Sequence, residues 1–210
     1  VQIKSVIVAA KRTPIGSFQG QLSSLTASDL ASHLIINIMR DLDIPADAVD
    51  EVILGNVLSA GQGQSPARQV AIKGGLPNTV ETLTINKMCG SGLKAIMLAD
   101  QAIKSNSADI IIAGGMESMS NAPHILQNFR TGNKLGHSKV IDSVIHDGLW
   151  DVYTNQHMGN CAEMLVKDRQ YSREDQDAYA VSSYRKANSA KKANIFRDEI
   201  IPIEVKIKNE

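Results

Sequence analysis

The chain has 210 residues and 43% hydrophobic content, enough apolar material for a core in one large or two small domains. Lys+Arg and Asp+Glu balance at 22 each, which argues against a nucleic-acid or membrane-surface partner recruited by bulk charge. Two cysteines are too few for a disulfide framework, and no run approaches the roughly 20 apolar residues that cross a bilayer.

The opening Val1-Gln2-Ile3-Lys4 lacks the charged-then-apolar layout of a signal peptide. The expectation is therefore a soluble cytoplasmic protein with no membrane partner, the mitochondrial matrix being open for a eukaryotic chain. Residues 5–10 form a β-branched apolar run that reads as a buried strand ending at Lys11-Arg12. A helix is expected over 27–40, with Thr26 as N-cap and Leu30, Leu34 and Ile38 on one stripe. Residues 49–54 read as a second strand, halted by Gly55-Asn56. The spacing predicts a helix over 66–73, with Pro66 in its first turn and Gly74-Gly75 at its end. Gly61-Gln62-Gly63-Gln64 lacks the surroundings of a phosphate-binding loop and reads as a turn.

The apolar run over 80–85 reads as a buried strand leading into Cys89. A helix follows, with Leu93, Ile96, Met97 and Ile103 at helical spacing, and residues 109–113 form another core strand. Strands alternating with helices imply an α/β fold, a mainly parallel sheet sandwiched by helices. Residues 121–157 show no sustained period and are too long for a simple connection. Helices return over 159–169 and 173–193, the second with Ser172 and Asp175 as a capping box. A last strand is expected over 199–208, with Pro202 marking an edge or an end.

Within this layout Cys89 stands on a tight strand-to-helix turn, followed by Gly90-Ser91-Gly92. Small residues clear space around the sulfur, and a helix start offers unpaired N–H groups and the positive end of its dipole. That setting suits a nucleophilic cysteine, but a free cysteine is also common as a small buried apolar residue. No spacing of His, Cys, Asp and Glu suggests a metal site.

The longer pattern distinguishes the two. Ile85-Asn86-Lys87-Met88-Cys89-Gly90-Ser91-Gly92-Leu93-Lys94-Ala95-Ile96 resembles the nucleophile signature of the thiolases, the acyl-CoA C-acyltransferases. Arg12-Thr13-Pro14-Ile15-Gly16, Gly114-Gly115-Met116-Glu117-Ser118-Met119-Ser120, and Asp147-Gly148-Leu149 with His157-Met158-Gly159 resemble further thiolase segments in the same order. The similarity runs over essentially the whole chain.

The resemblance implies a thiolase-like layered fold with an inserted loop domain: residues 1–120 as the α/β domain with the nucleophile, residues 121–210 as a CoA-binding loop domain. It implies two-stage acyl transfer, in which Cys89 attacks a thioester and holds the acyl group. CoA and acetyl-CoA enter as substrates, and no prosthetic group is needed. The expected product is acetoacetyl-CoA from two acetyl-CoA, or the reverse cleavage. Cys89 is assigned as nucleophile by its side chain and as oxyanion donor by its backbone N–H. Leu149, His157 and Met158 are expected against the pantetheine arm of the substrate. Glu117 is expected to fix loops by hydrogen bonds, and Cys161 to be structural.

The family's Asn-Glu-Ala-Phe-like, Gly-His-Pro and Cys-x-Gly segments do not occur in these 210 residues. The expectation is thus the N-terminal part of a thiolase, catalytically incomplete alone, prone to association through uncovered apolar faces. The complete protein is expected to be a homo-oligomer, a dimer or tetramer. Competing readings are a long-chain 3-ketoacyl-CoA thiolase of β-oxidation, a related ketoacyl synthase, and a non-catalytic acyl-CoA-binding module.

Overall fold

The computed structural model describes residues 4–205. Its centre is a parallel three-stranded sheet of β1 (Glu51–Gly55), β2 (Glu81–Ile85) and β3 (Ile111–Gly115), in the order β2-β1-β3. The register pairs Gly55 with both Ile85 and Gly115, so all three strands end level. Side chains of the central strand alternate between two cores. Val52 and Leu54 pack with Ala67, Val70 and Ala71 of α2 (Pro66–Lys73) and with Ala27, Ala31 and Ile35 of α1 (Ala27–Leu42). Ile53 points the other way, onto Ala95 and Ala99 of α3 (Ser91–Lys104). The expected sandwich of helices around a parallel sheet is what forms.

Helix α1 starts where its cap predicts: the Asp29 N–H donates to the Thr26 hydroxyl, and the Thr26 N–H to the Asp29 carboxylate. Its buried stripe differs from the expected one. Ala27, Ala31 and Ile35 face the core with Ser28 and Ser32, while Leu30, Leu34 and Ile38 lie on a half-buried flank. On that face Ile35 seats against Gly74 at the end of α2, where a Cβ would lie 2.8 Å from it. Lys73 then reaches Asp29 at 2.6 Å and donates to the Ser28 hydroxyl, joining the two helices.

Three strand expectations need correction. Residues 5–10 are extended but unpaired, with Val6, Ile7 and Val8 exposed. At 199–208 only Ile200 forms a bridge, to Arg12, and residues 206–208 lie outside the described residues. In both segments the β-branched composition is right, but a strand also needs a neighbour's ladder. Around that bridge Arg12 pairs with Glu199 and stacks on Phe196. Strand β2 forms as expected but is an edge strand among the described residues, with Leu83 on an open face rather than buried.

Residues 121–157 hold short pieces instead of a sustained element. These are the hairpin of β4 (His124–Leu126) with β5 (Val140–Asp142), a π-helical turn at Val144–Leu149, and the hairpin of β6 (Trp150–Asp151) with β7 (Gln156–His157). Then follow α4 (Met158–Arg169) and α5 (Arg173–Lys192), the latter with the expected Ser172–Asp175 capping box.

Candidate active site

The site is built at the carboxyl ends of the strands, where open parallel sheets place their ligand crevices. Leaving β2, the chain must reverse within five residues to enter α3. Met88 does so by taking the left-handed conformation, φ 51°. Side chains on either side hold it there. The Met88 N–H donates to Asn86 Oδ1 at 2.9 Å. Buried Ser91 accepts the Lys87 N–H at 2.8 Å and donates to the Met88 carbonyl at 2.6 Å. The Gly90 and Ser91 N–H groups bond back to the Lys87 and Met88 carbonyls at 3.2 and 3.0 Å.

Cys89 is exposed at the tip of this turn. It stands two residues before the first helical residue, with Gly90 as N-cap, so it lies just off the helix axis end rather than within the helix. Its backbone N–H donates to no group among the described residues. A free donor and an exposed thiol on one residue give the two functions that acyl transfer asks of a nucleophile.

Glycine makes the close seating possible. A Cβ on Gly55 would sit 2.5 Å from Ser91 Cβ and 2.7 Å from the Gly92 nitrogen. The end of β1 thus supports the start of α3 through backbone contact, and Gly115 approaches Gly92 in the same way from β3.

Glu117 does fix loops. Its carboxylate accepts from Asn56 Nδ2 at 2.8 Å, from the Val57 N–H at 2.9 Å and from the Leu58 N–H at 3.3 Å. Burial pushes its pKa above the ordinary glutamate range, against the pull of these three donors.

The structure brings Leu149, His157 and Met158 to one end of the β6–β7 hairpin, where Trp150 pairs with His157. All three remain partly exposed. His157 also caps α4, its Nδ1 accepting the Gly159 N–H at 3.0 Å. The neighbouring Gly148 packs toward Leu58, beside the loop that Glu117 holds. Cys161 lies in the first turns of α4, with Thr154 as its nearest polar neighbour at 4.0 Å. In sequence Ser91 reads only as a small residue that clears space and Asn86 only as part of the motif; the structure shows that their polar side chains clamp the turn. Among the described residues no three His, Cys, Asp or Glu side chains gather as a metal cluster, and no helix is long and apolar enough to cross a membrane.

A glycine-seated turn at the carboxyl edge of a helix-sandwiched parallel sheet, with an exposed cysteine at its tip, places the chain among α/β proteins. The family model described as "Thiolase, N-terminal domain" matches residues 5–210, and the chain belongs to this family. It is 56% identical over 198 residues to "Probable acetyl-CoA acetyltransferase" of Escherichia coli, covering 94% of this chain and 50% of that protein. It is 52% identical over 200 residues to "Acetyl-CoA acetyltransferase" of Pseudomonas aeruginosa, covering 95% of this chain and 51% of that protein. Among solved structures it resembles the Acat5 thiolase from Ascaris suum, determined in complex with coenzyme A. The TM-score is 0.88 with 43% identity, over 93% of this chain and 50% of that one. The chain spans about half the length of the curated relatives it matches.

Proposed function

We propose that this chain carries the nucleophile of an acetyl-CoA C-acetyltransferase, which joins two acetyl-CoA into acetoacetyl-CoA and CoA or runs the reverse cleavage. The carrying observation is Cys89, exposed on a clamped turn with its own N–H unpaired. In this reading the Cys89 sulfur, as thiolate, bonds to the thioester carbonyl carbon, and the tetrahedral oxyanion accepts a hydrogen bond from the Cys89 N–H. The carbon–sulfur bond to CoA then breaks, CoA departs as thiolate, and the acyl group stays on Cys89. CoA is substrate throughout, with no prosthetic group.

Leu149, His157 and Met158 would receive the pantetheine arm. Their gathering at one hairpin end supports this, as does the apolar, polarisable surface that leucine and methionine offer. With Nδ1 engaged in the helix cap, His157 keeps Nε2 for a ligand. Residues 1–120 would then serve as the nucleophile domain and 121–210 as the CoA-binding loop domain. The exposed Val6, Ile7, Leu93 and Met97 support association, as a dimer or tetramer of the whole protein. Two free cysteines support a reducing compartment such as the cytoplasm.

Intact mass after incubation with acetyl-CoA tests the proposal, on the natural chain and on Cys89→Ala. An acetyl adduct that disappears in Cys89→Ala is the expected result. An adduct that persists in the variant would overturn the assignment, and CoA affinity without any adduct would favour a binding module.

A further inference from the structure

Strand β1 ends in a short loop, residues 56–58, wedged between the nucleophile turn and the loop after β3. Three contacts join it to the nucleophile side. The backbone of Gly55 bears directly on Ser91 and Gly92. The Asn56 N–H donates to the Ile85 carbonyl at 3.0 Å. The Val57 carbonyl faces Asn86 Nδ2 at 3.5 Å, and Asn86 in turn accepts the Met88 N–H at 2.9 Å.

On the other side Glu117 makes most of the contacts that hold the loop. Glu117 accepts from Asn56, Val57 and Leu58, collecting one side-chain and two backbone donors that continue past the last sheet pairing. Asn56 is buried, and its Oδ1 has no partner among the described residues. The orientation of its amide therefore depends on what Nδ2 donates to. One acceptor there is the Glu117 carboxylate and the other is the Met116 carbonyl at 3.3 Å. A buried donor left without its acceptor is costly, so the loop is strongly biased to the geometry that keeps Glu117 bonded.

We propose that Glu117 is a positioning residue for Cys89: it sets the 56–58 loop, and through Gly55, Val57 and Asn86 that loop sets the turn that presents the sulfur and the Cys89 N–H. Glu117 touches no reacting atom in this arrangement. The inference rests on Cys89 being the nucleophile.

Iodoacetamide labelling of the natural chain tests both, using Cys161 in the same molecule as an internal reference. Peptide masses give the Cys89:Cys161 rate ratio. The natural chain should label Cys89 at least about tenfold faster, as expected for a thiol exposed at the tip of a turn against a half-buried one. Glu117→Gln keeps the volume but faces the N–H donors with an amide, and should lower the ratio about tenfold, with Glu117→Asp intermediate. Asn86→Ala should lower it too, and the double variant Glu117→Gln/Asn86→Ala should fall little further, since both act on one linkage. A natural ratio near one would overturn the nucleophile assignment and this proposal with it. A high natural ratio that neither Glu117 variant changes, or fully additive losses in the double variant, would overturn the positioning role alone. If the urea midpoint of Glu117→Gln collapses, that variant has opened globally and the ratio in Glu117→Asp decides.

Discussion

Gly55→Ala is the sharpest probe of how the sheet seats the Cys89 turn. The new methyl would lie 2.5 Å from Ser91 Cβ, 2.6 Å from the Ser91 carbonyl carbon and 2.7 Å from the Gly92 nitrogen. Carbon atoms rest at about 3.5–4.0 Å, so the start of α3 must retreat by roughly 1 Å. Two of the three obstacles are backbone, and no side-chain rotation relieves them. Ser91 is buried and bonded on both sides of the turn, so it cannot swing away without releasing Lys87 and Met88. Alanine would gain about 0.4–1 kcal/mol by restricting the unfolded chain, but overpacking costs about 1–3 kcal/mol. The net expectation is destabilisation, read as a lower urea midpoint with an unchanged slope. The displacement falls on Cys89, so its iodoacetamide labelling rate should change while that of Cys161 does not. A midpoint and a Cys89 rate both equal to those of the natural chain would refute the seating argument.

Two further outcomes follow from the same geometry. Ser91→Ala removes an acceptor for the Lys87 N–H and a donor to the Met88 carbonyl, and should cost about 1–3 kcal/mol in urea denaturation; a loss within error of zero would mean that the turn holds without its clamp. The hydrogen bond from Lys73, then that from Thr26, holds the Asp29 carboxyl below the ordinary aspartate range. A depressed folded pKa gives stability that is present above the unfolded value and is lost as pH falls through the folded one. The stability advantage of the natural chain over Asp29→Asn should therefore be full at neutral pH and shrink once pH drops below about 3.9, and a difference that stays constant down to acid pH would contradict the pairing.

Local chemistry determined much of this protein. The caps at Thr26 and Ser172 and the Pro66 helix start follow from short-range hydrogen bonding and dihedral limits, and they stand where composition places them. The parallel α/β class follows from period and alternation, and so does the turn that carries Cys89 between β2 and α3. Tertiary structure alone decided which faces are covered. Residues 5–10 and 80–85 have equally strand-like composition. Only the second lies against β1, because pairing depends on a neighbour's backbone that no local pattern encodes. On α1 the leucines yielded the core face to Ala27, Ala31 and Ile35, where α1 meets α2 and Gly74 seats against Ile35. The same holds at the site: Glu117 is 28 residues from Cys89 in sequence. Its link to the Cys89 turn exists only because β1 lies between β2 and β3, bringing three strand ends and their loops to one level.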